Sequence, residues 1–256
     1  MNGLYIALVF RTLPHEICSC MTESAVYLQP AFILQSRKFR ETSLIIDVLT
    51  QDFGRVSVIA KGARKPNSKT AALLQPFNPL IISFFGLAEL KTLTDVEISG
   101  SVINLKGISL YCGFYINELI SCFLHPYDPH PELFTHYSDC LSSLCNDDTN
   151  IESVLRLFEI NLLECVGYGL QLEFDSNENP IDANKTYLFN SDQPPIEMEQ
   201  GPFSGKTFLA LINRELSDPL VLSEAKILMR RVINRYLQGK TLKSREMINK
   251  IYGGLK

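Results

Sequence analysis

The sequence has 256 residues, of which 46% are apolar and 20% are charged, with a formal net charge of −4. This apolar fraction excludes a disordered chain, and 14 glycines and 13 prolines are too few for a low-complexity or collagenous one. The length predicts one large domain or two ordinary ones, and the net charge taken alone disfavours a nucleic-acid partner.

The first twenty residues differ from the rest of the chain. They hold a short apolar run, Leu4–Phe10, without the basic start of a signal peptide, and this run is too short to span a membrane. A second methionine, Met21, directly precedes a strand-like pattern. We therefore interpret residues 1–20 as an N-terminal extension or a disordered arm, and we expect translation to start at or near Met21. No later stretch is long enough to be transmembrane.

Residues 21–100 are predicted to form a small β-barrel domain. Five segments in this part are rich in aliphatic and β-branched residues and are separated by short turns, which is typical of strands. Gly54 lies in one of these turns, where we expect a positive φ. Five short strands without a long helix between them fit a five-stranded OB-fold. The predicted strands are Ser24–Leu34, Ser43–Leu49, Arg55–Ala60, Pro79–Phe85 and Glu89–Glu97.

Residues 101–256 are predicted to form an all-helical domain, because the hydrophobic period changes from two to 3.6. Asn150 is a predicted N-cap and Gly167 a predicted end of the third helix. Residues 171–205 are polar and contain several prolines, which predicts a long polar loop around one short strand, Thr186–Phe189. The fold class is therefore α+β. The predicted helices are Leu105–Phe123, Leu133–Leu144, Ile151–Cys165, Gly205–Leu216 and Ser223–Gln238.

The sequence lacks the common motifs of catalysis and metal binding. It contains no GxxxxGK[ST], GxSxG or HExxH motif, and Lys61 lacks the aspartate of the Lys-x-Asp-Gly nucleophile of DNA ligases. Seven cysteines without a CxxC pair predict reduced thiols in a cytoplasmic protein. His125, His130 and His136 are close in sequence, but three prolines among them favour a turn. We predict a protein that is not an enzyme and has no metal or other cofactor.

The charges are distributed unevenly along the chain. Residues 1–100 carry 10 basic and 8 acidic side chains, residues 101–205 carry 3 and 16, and residues 206–256 carry 11 and 4. In the first block, basic residues with an interleaved aromatic suit single-stranded nucleic acid, because cations neutralise phosphates and rings stack on bases. The alternative is a solubilising loop. The candidate DNA-binding residues are Arg37, Lys38, Phe39, Arg40, Arg55, Lys61, Arg64, Lys65 and Lys69.

Ten short segments carry a resemblance to a known family. They are Ile33–Ser43, Leu49–Arg55, Ile59–Lys65, Leu74–Phe77, Glu89–Leu93, Tyr115–Leu119, His130–Phe134, Phe158–Glu159, Gly167–Leu170 and Leu242–Arg245. No single segment is very specific, but their order and spacing from about Ser24 to Arg245 resemble the bacterial recombination mediator family RecO.

The resemblance implies an N-terminal OB-fold, a C-terminal helical domain and a non-enzymatic DNA repair and recombination mediator of the bacterial cytoplasm and nucleoid. Such a protein binds single- and double-stranded DNA and anneals complementary strands. It works with RecR, and often RecF, to load RecA onto DNA coated by single-strand binding protein. Many members hold zinc with four cysteines after the third helix. Residues Glu173–Glu199 contain no cysteine here, so we predict that this zinc site is absent.

The resemblance also implies a site for the C-terminal tail of single-strand binding protein. That tail is acidic with an apolar end, so it needs an apolar groove with a basic rim. The alternative function is an adaptor that docks a partner's tail on the helical domain and contacts DNA only incidentally. We interpret the acidic residues of 101–205 as a solvated surface, or as one that repels DNA. The candidate partner-binding residues are Lys226, Arg230, Arg231 and Arg235.

Overall fold

The computed structural model describes residues 25–191 and 193–252, so the expectations for residues 1–20 and Met21 lie outside the described part. Five strands form a closed barrel in the order β1-β2-β3-β5-β4, with β4 pairing back to β1. Only β3 and β5 are parallel within this barrel. This topology confirms the predicted five-stranded OB-fold. The strands are β1 (Ala25–Phe39), β2 (Ser43–Thr50), β3 (Gly54–Ala60), β4 (Leu80–Phe85) and β5 (Leu90–Ile98).

The barrel interior is filled by aliphatic side chains that alternate along the strands. Along β3, Val56, Val58 and Ala60 point inward and are buried, while the residues between them are half-buried. Ala63, three residues after β3, is also buried in this core and closes one end of the barrel. A short helix that was not predicted, α1 (Lys69–Leu73), lies between β3 and β4.

Six longer helices follow the barrel in the described part of the chain. The Asn150 side chain accepts hydrogen bonds from the main-chain N–H groups of Glu152 and Ser153, as expected of an N-cap. None of the described helices is long and apolar enough to cross a membrane. The helices are α2 (Gly107–Phe123), α3 (Pro131–Leu144), α4 (Ile151–Cys165), α5 (Gly205–Asn213), α6 (Pro219–Tyr236) and α7 (Lys243–Tyr252).

The polar segment 171–205 contains a small sheet in place of the single predicted strand, so the second domain is not all-helical. Three strands pair antiparallel in the order β7-β6-β8. Tyr187 and Phe203 of this sheet are buried against Phe208 of α5, with ring centroids 5.6 and 6.1 Å from it. The strands are β6 (Thr186–Leu188), β7 (Ile196–Glu197) and β8 (Phe203–Ser204).

The barrel and the helices meet along α2 and the connection that follows it. Phe32 and Leu49 of the barrel belong to the same apolar cluster as Leu119 of α2. At Gly54, φ is +64°, and a Cβ atom there would lie 2.0 Å from the main-chain oxygen of Asp128. Glycine is therefore required at this position for two reasons, which are the predicted positive φ and the close approach of the α2–α3 connection.

Candidate nucleic-acid interface

Most of the predicted DNA-binding residues meet at one end of the barrel. The turn between β1 and β2 and the segment after β3 lie side by side there, around an open depression of about 640 Å³. The depression is lined by Arg40, Lys61 and Lys65 together with one carboxylate, Glu41. We call the following residues the barrel cluster: Arg37, Lys38, Phe39, Arg40, Lys61, Arg64 and Lys65. The remaining basic candidate of this stretch, Lys69, begins α1.

Main-chain hydrogen bonds hold the two segments of the barrel cluster together. The N–H of Arg64 donates to the oxygen of Thr42 at 2.8 Å, and its Nη1 donates to the oxygen of Arg40 at 3.0 Å. Gly62 has a φ of +72°, which turns the chain so that Ala63 enters the barrel core. Because Ala63 is buried in the core, the basic residues on either side of it are held at the surface of the barrel.

The strand register separates the cluster residues of β1 by face. Arg37 pairs with Ile45, and Phe39 pairs with Ser43, so Arg37 and Phe39 lie on the same face of the sheet. Lys38, which lies between them, points to the other face. The guanidinium of Arg40 lies over the Phe39 ring, 5.3 Å from its centroid. One face of the cluster thus offers a half-buried aromatic ring with cations around it.

The cations of the barrel cluster are exposed, and none has an acidic partner among the residues that the structure describes. No ion pair within residues 25–191 and 193–252 involves any of them. Their charge is therefore available to an anionic ligand without first breaking an internal pair.

Arg55 lies apart from the barrel cluster, at the opposite end of β3. Its Nη1 donates to the main-chain oxygen of Ser121 in α2 at 3.0 Å, and its own main-chain oxygen accepts from the N–H of Tyr127 at 3.0 Å. Its Nε is buried and makes no hydrogen bond to any described residue. The structure therefore places Arg55 between the barrel and the helical domain, and not with the other candidates.

A second feature is a groove of about 240 Å³ between α2, α4, α6 and α7. Its walls include Ile108, Leu155 and Ile248, and its basic rim comprises Lys226, Arg230 and Arg245. We call this feature the helical groove. Two of the four candidate partner-binding residues, Lys226 and Arg230, therefore line it, and Lys226 also pairs with Glu152 at 2.6 Å.

The other two candidates do not line the helical groove. The guanidinium of Arg231 lies over the Phe203 ring, 5.2 Å from its centroid, on the side of α6 that faces the small sheet. Arg235 is exposed near the end of α6 and is not part of the groove lining. Arg245, which was not among the candidates, comes from α7, a helix that the sequence pattern did not predict.

The floor of the helical groove is a buried charged network. Oε1 of Glu159 accepts hydrogen bonds from the Tyr115 hydroxyl at 2.6 Å and from Nη2 of Arg156 at 2.5 Å. Nη2 of Arg245 donates to the Tyr115 hydroxyl at 2.9 Å. Burial and then the Glu159 carboxylate raise the pKa of the Tyr115 hydroxyl, so it remains protonated and donates to Glu159.

Two atoms of this network make no hydrogen bond to the described residues. They are Oε2 of Glu159 and Nε of Arg156, both buried where they line the groove. Burial lowers the pKa of Arg156, but the adjacent Glu159 carboxylate raises it and the net direction is upward, so the guanidinium stays protonated. The groove therefore combines a positive rim with a polar floor. In this floor, Oε2 of Glu159 can accept a further hydrogen bond and Nε of Arg156 can donate one.

The polar segment for which the sequence predicts no zinc site contains a turn that is closed by a carboxylate. The Asp175 carboxylate accepts hydrogen bonds from the N–H groups of Asn177 and Asn179 and from the Asn179 side chain. These hydrogen bonds lower the pKa of Asp175, and the bond from the Asn179 N–H has the largest effect. The carboxylate thus closes a turn. No group of three or more His, Cys, Asp or Glu side chains in the described residues could hold a metal ion.

The architecture defines this chain as an OB-fold barrel joined to a helical domain, with an exposed basic end on the barrel. Two family models match it: Recombination protein O N terminal over residues 21–102, and Recombination protein O C terminal over residues 105–246. The chain therefore belongs to the RecO family, which confirms the resemblance seen in the sequence.

Curated relatives give the same family. The DNA repair protein RecO of Methylococcus capsulatus is 42% identical over 227 residues, which are 88% of this chain and 93% of the relative. The DNA repair protein RecO of Dechloromonas aromatica is 40% identical over 235 residues, which are 89% of this chain and 97% of the relative.

Proposed function

We propose that this chain is a non-enzymatic DNA repair and recombination mediator that binds single- and double-stranded DNA through the barrel cluster. It anneals complementary strands and, with RecR and RecF, helps to load RecA onto DNA coated by single-strand binding protein. It acts in the bacterial cytoplasm, at the nucleoid. Family membership supports the repair role. The structural observation that carries the DNA role is a set of exposed cations at one end of an OB-fold barrel, none of which forms an ion pair with a described residue.

The barrel cluster suits phosphates more than any small ligand. Its depression is open and polar, and its cations come from two segments that are tied together by hydrogen bonds. A chain of phosphates can lie across both segments, while the Phe39 ring stacks on a base without reading its sequence. The arrangement therefore predicts binding that depends strongly on salt and weakly on sequence.

A salt titration of two matched variants tests this proposal. We expect Lys61→Glu/Lys65→Glu to bind an oligo-dT strand more weakly, with a slope of log affinity against log salt that is smaller by about 1.4, because each single-strand phosphate contact contributes about 0.7. The control, Lys106→Glu/Lys206→Glu, makes the same change of net charge at exposed sites outside the cluster and should keep the wild-type slope.

The same titration decides between the mediator and the adaptor. An unchanged slope in the Lys61→Glu/Lys65→Glu variant would remove the DNA role from the barrel cluster. The adaptor would then be favoured, with its partner docked on the helical domain.

We further propose that the helical groove binds the C-terminal tail of single-strand binding protein. The tail has an apolar end and acidic residues before it, and the groove offers apolar walls beneath a rim of Lys226, Arg230 and Arg245. Charge and hydrophobic complementarity together support this pairing, whereas the depression at the barrel cluster is lined mostly by polar and charged side chains.

Two neighbouring arginines of α6 provide a matched test of the groove. Arg230 lines it, whereas Arg231 lies over Phe203 outside it. We expect Arg230→Glu to weaken binding of the cognate tail peptide by about tenfold, measured by fluorescence anisotropy, because one rim charge is reversed. Arg231→Glu should bind as the wild type does. Equal effects of both variants would show that only the general charge of α6 matters.

The mediator role itself is tested by annealing complementary oligonucleotides that are coated with the cognate single-strand binding protein. We expect the wild-type chain to accelerate annealing, and RecR to support RecA loading on the same coated strands. A folded chain that binds the tail peptide but does not anneal the coated strands would contradict the mediator and favour the adaptor.

A further inference from the structure

A second aromatic and basic surface lies around the end of α6, away from the barrel cluster. The rings of Tyr168 and Tyr236 are stacked, with centroids 4.1 Å apart and an interplanar angle of 17°. Phe123, at the end of α2, meets Tyr168 edge-on at 6.5 Å. Tyr168 remains 43% exposed in this stack. We call Tyr168, Tyr236 and the turn that follows them, with Lys240, the α6 surface.

The backbone presents Tyr168 to the surface in a defined position. Gly167 has a φ of +80°, which ends α4, and the N–H of Tyr168 donates to the oxygen of Leu163 at 2.7 Å. The ring is therefore held over α6 by the chain reversal, while much of it remains accessible. Aromatic rings that are ordered and exposed form the platforms on which single-stranded bases stack.

Basic residues line a depression beside the last turns of α6 and the turn that follows it. Lys240 follows α6 and is exposed, and it lies close enough to Cys122, next to Phe123, to affect that thiol electrostatically. Beyond it is a depression of about 330 Å³ lined by Arg230, Lys240 and Arg245, with Glu246 as the one carboxylate of the lining. No ion pair in the described part of the chain involves Arg230, Lys240 or Arg245.

The α6 surface and the barrel cluster lie at opposite ends of β3. Arg55, the second residue of this strand, contacts Ser121, which lies less than one helical turn from Phe123, whereas Lys61 follows the other end of the strand. Seven extended residues span roughly 20 Å, so two strands of DNA can be held without competing for the same cations.

We propose that the α6 surface is a second binding site for single-stranded DNA, which holds one strand while the barrel cluster holds its complement. The inference rests on the proposed annealing function and gives it a physical basis. Two polyanions approach each other only when both are neutralised, and here each strand has its own cations and aromatic ring. The stacked ring of Tyr168, which is exposed beside these cations, offers a platform on which a base can stack, and this favours single-stranded DNA as the ligand.

Stoichiometry and annealing of bare oligonucleotides, without single-strand binding protein, test the proposal. The full-length wild-type chain should bind two short dT oligonucleotides, and Tyr168→Ala/Lys240→Glu should bind one, with annealing slowed by about tenfold. Lys106→Glu, an exposed charge reversal at the opposite end of α2, is the control and should behave as wild type. Two bound strands, or unchanged annealing, in the Tyr168→Ala/Lys240→Glu variant would overturn the proposal.

The barrel variant separates failure of this proposal from failure of the DNA role of the barrel. Lys61→Glu/Lys65→Glu should also bind one oligonucleotide, this time at the α6 surface. If it still binds two, the barrel proposal fails, whereas two strands on Tyr168→Ala/Lys240→Glu contradict the α6 surface.

Photo-crosslinking gives a readout that does not depend on a variant's folding. With an oligonucleotide containing 5-iododeoxyuridine, the wild-type chain should crosslink at Tyr168 or Tyr236 as well as at the barrel, as identified by mass spectrometry of peptides. Crosslinks confined to the barrel would overturn the proposal. So would a Lys240→Glu variant that loses affinity for the tail peptide and keeps wild-type affinity for DNA.

Discussion

Asn117 of α2 donates from Nδ2 to the main-chain oxygens of Ile33 and Leu34 in β1, at 3.2 and 3.0 Å. The register of β1 against β2 shifts at this point, between Ile33 and Gln35. The Tyr137 hydroxyl donates in turn to Oδ1 of Asn117 at 2.5 Å. A single buried amide therefore provides hydrogen bonds to the two carbonyl groups at the strand irregularity, and it joins the barrel to α2 and α3.

Replacing this amide should destabilise the whole chain. We expect Asn117→Ala to lower the free energy of unfolding by about 3 kcal/mol, because two buried carbonyls and the Tyr137 hydroxyl lose their partner. Urea denaturation followed by circular dichroism measures this change. Asn190→Ala, at an exposed position, should stay within about 0.5 kcal/mol of wild type. Equal stability of the two variants would show that the amide does not join the domains.

Substitutions at two glycines with similar φ angles distinguish the cost of backbone strain from the cost of a steric clash. Gly54 has φ +64° with the Asp128 oxygen 2.0 Å from a Cβ position, whereas Gly239 has φ +84° with nothing within 4 Å. We expect Gly239→Ala to cost about 1 kcal/mol of stability from strain alone, and Gly54→Ala to cost about 2 kcal/mol more because the α2–α3 connection must move. Urea midpoints measure both costs, and a smaller cost at Gly54 would contradict the close approach.

Arg55 should behave as a structural residue and not as a DNA ligand. We expect Arg55→Ala to leave the salt slope of oligonucleotide binding unchanged, while stability falls by about 2 kcal/mol as the hydrogen bond to Ser121 is lost. Lys61→Ala should do the reverse, with a lower slope and wild-type stability. The measurements are anisotropy across a salt series and urea denaturation. A lower slope for Arg55→Ala would return this residue to the DNA interface.

The buried thiols should make stability fall at high pH. Burial raises the pKa of Cys112 from 9.0 to about 11, and the nearby Arg156 lowers it only in part. Below pH 9 the thiol is protonated in both the folded and the unfolded chain. Between pH 9 and about pH 11 only the unfolded chain releases the proton, so stability falls by up to about 1.4 kcal/mol per pH unit.

A Cys112→Ala variant tests the sign of this effect, because its stability should fall less steeply than that of the wild type between pH 9 and 11. Iodoacetamide labelling at pH 8 gives a second readout. We expect label on the exposed Cys145 and none on Cys112 or Cys140, as identified by peptide mass spectrometry. Parallel pH profiles, or labelling of Cys112 at the rate of Cys145, would contradict the assignment.

Local signals explain why several elements were predicted with accurate bounds. Helix α4 begins and ends at the predicted residues, because the Asn150 cap and the 3.6-residue apolar period both lie within its own sequence. Strand β1 extends beyond its predicted end at Leu34. The sequence did not indicate this extension, because Gln35–Lys38 are all exposed and show no alternation of apolar and polar residues. Only pairing with β2, a contact between distant segments, makes that stretch a strand.

The missed strands had little local signal. Strands β7 and β8 are two residues long, too short for any period, and form only because β6 lies between them. Helix α7 leaves Met247 and Ile251 substantially exposed, so its apolar face is narrow. Its first turn is held by the Glu118 carboxylate, which accepts from the N–H groups of Lys243 and Ser244 at 2.9 Å.

The sequence by itself determined the family, the barrel-then-helices order and most of the barrel cluster, because composition, periodicity and short motifs are local properties. Only the tertiary structure decided that Arg55 faces α2, since strand direction carries it to the other end of the barrel. The helical groove also appeared only after folding. Its lining comes from four helices, and no window of sequence brings Ile108, Leu155, Arg230 and Ile248 together before long-range packing does.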